Sequence, residues 1–196
     1  MKLFTAGILT LVASATLTAQ QPAGPVAEPI TSVLRTRTMN LQRTLAQAFD
    51  SIPESKFSYK PTPAQLTIGY VAQHLASDNY FFCNNFGTMK ATIADEDRQT
   101  ADSVKATWPK AKLVTKLKES FTFCEQAFAQ LNDASLAQEY DAPGPNGTTR
   151  KAIRAGSVVG HAMDMADHYS QIANYMRLNG LIPPTALPRP GRGGNH

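Results

Sequence analysis

Four stretches of this chain repeat apolar residues every three to four positions, and proline or glycine interrupts the chain between them. That spacing puts the apolar side chains of each stretch on one face of an α-helix. The first stretch, from about Thr31 to Ile52, places Leu34, Leu41, Leu45, Ala48, Phe49 and Ile52 at helical spacing before Pro53 stops it. In the second, from Pro63 and Ala64 to about Phe86, Val71, Leu75, Phe82 and Phe86 make the stripe, with Thr62 as candidate N-cap and Gly87 at the end. A third follows Pro109, with Leu113, Leu117, Phe121, Cys124, Phe128 and Leu131 in register. Thr148 or Thr149 can cap the fourth, which runs to Asn179-Gly180. A short helix fits around Ala101 to Thr107, and Pro143-Gly144-Pro145-Asn146-Gly147 reads as a loop. No segment reads as a strand. Each helix must bury its stripe against the others, so the expected fold class is all-α, a four-helix bundle over residues 30–187.

The ends read differently. Lys2 and the apolar run Leu3 to Leu17 have the form of a secretory signal, residues 1–20, with cleavage after Ala19 or slightly later. A retained anchor is the competing reading, but the run is short for a bilayer span. Residues 21–29, rich in Pro, Gly and Ala, form a flexible lead-in. The tail from Leu181 carries Pro183, Pro184, Pro188 and Pro190, cannot continue the helix, and is expected to be disordered over 188–196. The expected location is therefore secreted or periplasmic. The net charge is +4, and neither the cluster Lys110, Lys112, Lys116, Lys118 nor any basic–aromatic interleaving suggests nucleic acid. Arg150, Lys151 and Arg154 crowd the expected start of the fourth helix, as surface charge or as an anion anchor. An exported chain with two cysteines invites a Cys83–Cys124 disulfide, although two separate buried thiols are an alternative. Apolar bundle ends are compatible with a homodimer.

The fourth helix carries the chemistry. At about 100° per residue, His161, Asp164 and His168 fall within an arc of roughly 60° that also holds Val158, Met165 and Ile172. Polar groups on a core face need partners, and a metal ion is the simplest one. His74, near Val71 and Asp78 on the second helix, can complete a set of two imidazoles and one carboxylate. Such a set suits Zn with an open position, non-haem Fe(II) or Ni. His161 is then an alternative ligand or a group orienting Asp164, and Gln171 a hydrogen-bonding neighbour. Cys83, nine positions after His74, faces the opposite side of its helix and should not share that metal.

The layout resembles the DinB superfamily of four-helix bundles with a triad of His ligands. The resemblance rests on Pro61-Thr-Pro63 followed by Leu66 to His74, on His168-Tyr-Ser-Gln171-Ile, and on Met176-Arg-Leu-Asn-Gly180 followed by Pro183-Pro184. It implies that His74 and His168 are ligands. The third family position, four residues before His168, is here Asp164, a harder ligand that shifts preference toward Fe(II) or Mn. Thiol-dependent transferases and isomerases occur in the family, as do candidate hydrolases, all acting on small molecules. The resemblance therefore implies a divalent-metal enzyme of hydrolase or thiol-transferase type. The other reading is a non-catalytic envelope binding module with a vestigial site, in which Asp164 would pair directly with His74.

Overall fold

The computed structural model describes residues 26–188. The expected signal at 1–20, residues 21–25 of the expected lead-in and most of the expected tail at 188–196 lie outside the described residues, and the last lead-in residue, Pro29, begins the first helix. Four long helices dominate: α1 (Pro29–Ser51), α2 (Ile68–Cys83), α5 (Lys110–Phe128) and α7 (Arg154–Leu178). Short helices α3 (Asp95–Gln99) and α4 (Asp102–Lys105) fill the α2–α5 connection, and α6 (Asp133–Leu136) follows α5.

Named contacts fix the helix directions. Lys118 near the middle of α5 pairs with Asp50 at the end of α1 (2.8 Å), while Arg35 near the start of α1 donates to the Phe128 carbonyl at the end of α5 (2.7 Å). These two helices are antiparallel. Asn79 meets Ser120, and four residues further on Cys83 meets Cys124, so α2 and α5 are parallel. The Ser157 hydroxyl donates to the Phe82 carbonyl, while His74 lies against His168, so α7 runs opposite to α2. α1 and α7 therefore point one way and α2 and α5 the other. The Lys110 ammonium closes one end of the bundle by donating to the Asp50 and Ile52 carbonyls (2.7 Å each), groups that the end of α1 leaves unpaired.

The apolar stripes bury as their spacing predicts. Leu45, Phe49, Val71, Leu75, Leu117, Met165 and Ile172 share one core. Phe86, Phe128, Leu131 and Val158 form a second, toward the other end of the bundle. The tail packs Leu181 against the first core, and its Thr185 meets the Tyr169 hydroxyl. Among the described residues no helix is long and apolar enough to cross a membrane.

α2 ends at Cys83 and α5 at Phe128, each three residues before the expected Phe86 and Leu131, and three further features differ from expectation. α2 begins at Ile68, not at Pro63, and its N-cap is Thr67, whose hydroxyl accepts from the Tyr70 amide at 3.1 Å. The preceding chain satisfies the free amides of the first turn, because the Tyr59 and Phe57 carbonyls accept from Ile68 and Gly69. Gly69 is required there, since a Cβ would collide with the Ala106 carbonyl. Second, Glu139–Pro143 (β1) and Thr149–Ile153 (β2) form an antiparallel hairpin where no strand was expected. Ala142 is its one buried residue, so it lacks the alternation that marks a strand. Asn146 and Gly147 turn it with positive φ. Third, α7 consequently starts at Arg154 rather than at Thr148 or Thr149, which removes Arg150 and Lys151 from the helix start. Lys151 pairs instead with Asp141 across the hairpin at 2.8 Å.

Candidate metal centre

α2 delivers His74 and α7 delivers Asp164 and His168, and the antiparallel packing brings them to one level. Each offers a ligand atom, and the three atoms lie within 4.8 Å of one another. The two imidazoles meet edge to face with centroids 5.0 Å apart. His168 Nε2 lies 3.5 Å from Asp164 Oδ1, and His74 Nε2 lies 3.3 Å from Asp78 Oδ2.

A relay of side chains holds the His168 ring. Its Nδ1 is 3.2 Å from Gln171 Oε1, an acceptor, which assigns the proton to Nδ1 and turns Nε2 toward Asp164. The Gln171 amide donates to the Tyr175 hydroxyl at 2.9 Å, and Tyr175 packs edge-on against Tyr59. Gln171, expected as a hydrogen-bonding neighbour of the centre, thus supports His168.

The electrostatics combine two His–Asp pairs with one buried carboxylate oxygen that has no partner. Burial disfavours the charged imidazole of His168, but hydrogen bonds to Asp164 and Gln171 outweigh it and shift the pKa upward. Burial raises the Asp78 carboxyl; the His74 and His168 imidazoles oppose this, and the Asp164 charge adds to it. Asp164 Oδ2 is buried and accepts no hydrogen bond, an arrangement that costs free energy unless a donor or cation supplies the missing contact. Exposure is graded across the cluster, from 33% for the His74 side chain to 10% for that of His168. The centre is therefore closed on the α7 side and open at His74 and Asp78. Tyr70, whose ring lies 6.0 Å from that of His74, also lines a cleft of about 600 Å³ with Phe57, Trp108 and Lys110.

Asp78 is the residue that sequence reasoning passed over as a site member. Its signal was present, because it follows His74 by four positions and so shares that face of α2. No direct His74–Asp164 ion pair forms among the described residues; each carboxylate faces the histidine four positions away on its own helix.

His161 belongs elsewhere, which corrects its reading as an alternative ligand or a partner of Asp164. Its side chain is fully buried, with Nε2 2.8 Å from Asn79 Oδ1 and 3.7 Å from the sulfurs of both Cys83 and Cys124. Those cysteines form a disulfide. The reason is axial: nine residues of α2 separate Cys83 from His74, about 13 Å of helix, and His161 sits level with the disulfide. Burial lowers the His161 pKa to about 4, against a small opposing effect of Asp164. Its unfolded-state value is near 6.5, so the unfolded chain binds the extra proton first as pH falls. The corresponding stability is complete above about pH 6.5 and declines toward pH 4, by about 3 kcal/mol in all. Denaturant melts at pH 7 and pH 4.5 should show a smaller acid loss in His161→Gln than in wild type; equal losses would remove His161 as the cause.

A sequence model of the DinB superfamily matches residues 38–172. Among solved structures, the fold is similar to a DinB-like protein from Bacillus cereus, at 16% identity and TM-score 0.62, over 78% of this chain and 95% of that one. A DinB-like protein from Bacillus subtilis matches at 18% identity and TM-score 0.57, over 76% and 92%. A mycothiol-dependent maleylpyruvate isomerase matches at 12% identity and TM-score 0.56, over 74% of this chain and 65% of that one. No curated protein matches. At these identities the structural likeness concerns the fold.

Proposed function

This chain belongs to the DinB superfamily, and on that premise we propose that it is a metal-dependent enzyme whose His74, Asp164 and His168 hold a divalent ion. One observation carries the reading: ligand atoms of His74, Asp164 and His168, from two helices, lie within 4.8 Å of one another, and the Asp164 carboxylate keeps one buried oxygen without a partner. Two imidazoles and a carboxylate suit Zn, Ni, Fe(II) or Mn and leave positions free for substrate. Held by these residues, such an ion would supply Lewis acidity for activating a nucleophile, water or thiol.

The chain's own residues set up that chemistry. Gln171 and Tyr175 lock the His168 ring, so little side-chain freedom is lost on binding. Asp164 contributes negative charge from the closed side. Asp78, on the open side beside His74, is the carboxylate placed to accept a proton from an incoming nucleophile. The N-terminal apolar run and the disulfide support work in a secreted or periplasmic setting. That setting favours water over a low-molecular-weight thiol, hence hydrolysis of a small molecule over thiol transfer.

Metal-loaded protein and His168→Ala should be compared on activated ester and amide substrates, with and without added thiol. Turnover in wild type that is lost in the variant supports the reading. Equal rates in both, or no turnover with any of the four metals, favours a non-catalytic binding module. Gln171→Leu removes the acceptor from His168 Nδ1 and should weaken metal binding about 10–100-fold, as read by chelator competition.

A further inference from the structure

A second group of metal-competent side chains lies outside the centre described above. Cys83 from α2, Cys124 from α5 and His161 from α7 converge with all three side chains fully buried. We propose that reduction of the Cys83–Cys124 disulfide opens a Cys₂His site that takes one Zn-class divalent ion. Nothing in this proposal depends on the His74 centre.

The geometry is close to that of a bound state. With metal–sulfur bonds of about 2.3 Å and metal–nitrogen bonds of about 2.0 Å, a tetrahedral site has a sulfur–nitrogen edge of about 3.5 Å. Both sulfur–His161 Nε2 distances are 3.7 Å. Three edges meet at Nε2, because Asn79 Oδ1 lies 2.8 Å from it. The Asn79 amide nitrogen donates to Ser120 Oγ, also at 2.8 Å, which aims Oδ1 at His161 and makes it a candidate fourth ligand. What remains is for the two sulfurs to part by side-chain rotation.

The charges also balance. Two thiolates and a neutral imidazole neutralise a divalent cation, so the filled site buries no net charge. Burial of the His161 ring disfavours its charged form, which holds it in the neutral form a ligand needs. Its ring is walled by Phe82, Phe86 and Phe128, a dry setting in which unpaired thiolates would be costly and metal-bound ones are not.

The chemistry closes with a named reductant. A trialkylphosphine and one water cleave the S–S bond, giving two thiols and the phosphine oxide. The ion then displaces both thiol protons, and the proton on His161 Nε2 moves to Nδ1 so that Nε2 can bind. The two states exclude each other, because the sulfurs are bonded either to one another or to the ion.

The test uses the full chain carrying His168→Ala, which disables the first centre and separates the two claims. The protein is reduced anaerobically with a trialkylphosphine, desalted and titrated with Co(II). The expected result is one equivalent bound, with thiolate-to-cobalt charge-transfer absorption in the near ultraviolet, and no such band from the oxidised chain. Adding His161→Ala should weaken binding by more than the roughly 10–100-fold that loss of an outer partner costs. Three results would each overturn the proposal: no thiolate band, undiminished binding without His161, or a reduced chain whose helical circular dichroism collapses and does not recover with Co(II).

Discussion

His168→Ala is expected to bind divalent metal more than roughly 100-fold more weakly than the native chain while keeping its helical fold. The affinity effect is large because His168 is a proposed direct ligand, and loss of an outer partner alone costs about 10–100-fold. The fold should survive because the ring lies beside the apolar core and not within it; Met165, Ile172 and Tyr175 supply the packing of that helix face. Truncation frees Gln171 Oε1 and Asp164 Oδ1 from their partner, which costs about 1–3 kcal/mol. Chelator competition measures the first effect and denaturant melts in the presence of chelator the second. A variant that binds metal as tightly as wild type would remove His168 from the site.

Removing the disulfide should have the next largest effect. Cys83 and Cys124 are 41 residues apart, and closing a loop of that length stabilises the folded state by about 4 kcal/mol through restriction of the unfolded chain. Against a typical total of about 5–15 kcal/mol, this decides whether the bundle tolerates other damage. Cys83→Ala with Cys124→Ala, melted in guanidinium beside the oxidised native chain, should show that loss with helical content unchanged at zero denaturant. A loss below about 1 kcal/mol would mean that the unfolded chain is already restrained near these residues.

The bundle was legible because its information is periodic. The stripe from Leu113 to Phe128 and the stops at Pro53 and Gly180 each have one physical reading, and the structure follows them. Local capping was less legible. Thr62 and Thr67 are equally good caps in isolation, and the choice of Thr67 is made by the distant Phe57 and Tyr59 carbonyls that dock on the first turn of α2. The hairpin was hidden because its strands are exposed and carry no alternation.

In the candidate centre, residue identities could be read while their groupings could not. His161, Asp164 and His168 lie on one stripe of α7, yet the two turns of helix between His161 and His168 separate two environments. His161 reaches the disulfide and its phenylalanine wall, and His168 reaches His74. Helical spacing gives the angle of a side chain around the axis; which neighbour stands at each level depends on how α2 and α5 are stacked against α7. Asp78 was missed for the same reason, since its value lies in facing a cluster assembled from another helix.

The most direct test of the metal centre is elemental analysis by mass spectrometry of the protein purified under non-reducing conditions, without chelators or a His tag, beside Asp164→Ala. The expected result is close to one equivalent of a divalent metal in the native chain and close to none in the variant. A native chain that stays metal-free after reconstitution with Zn, Ni, Mn and Fe(II), or a variant with undiminished metal, would contradict the assignment.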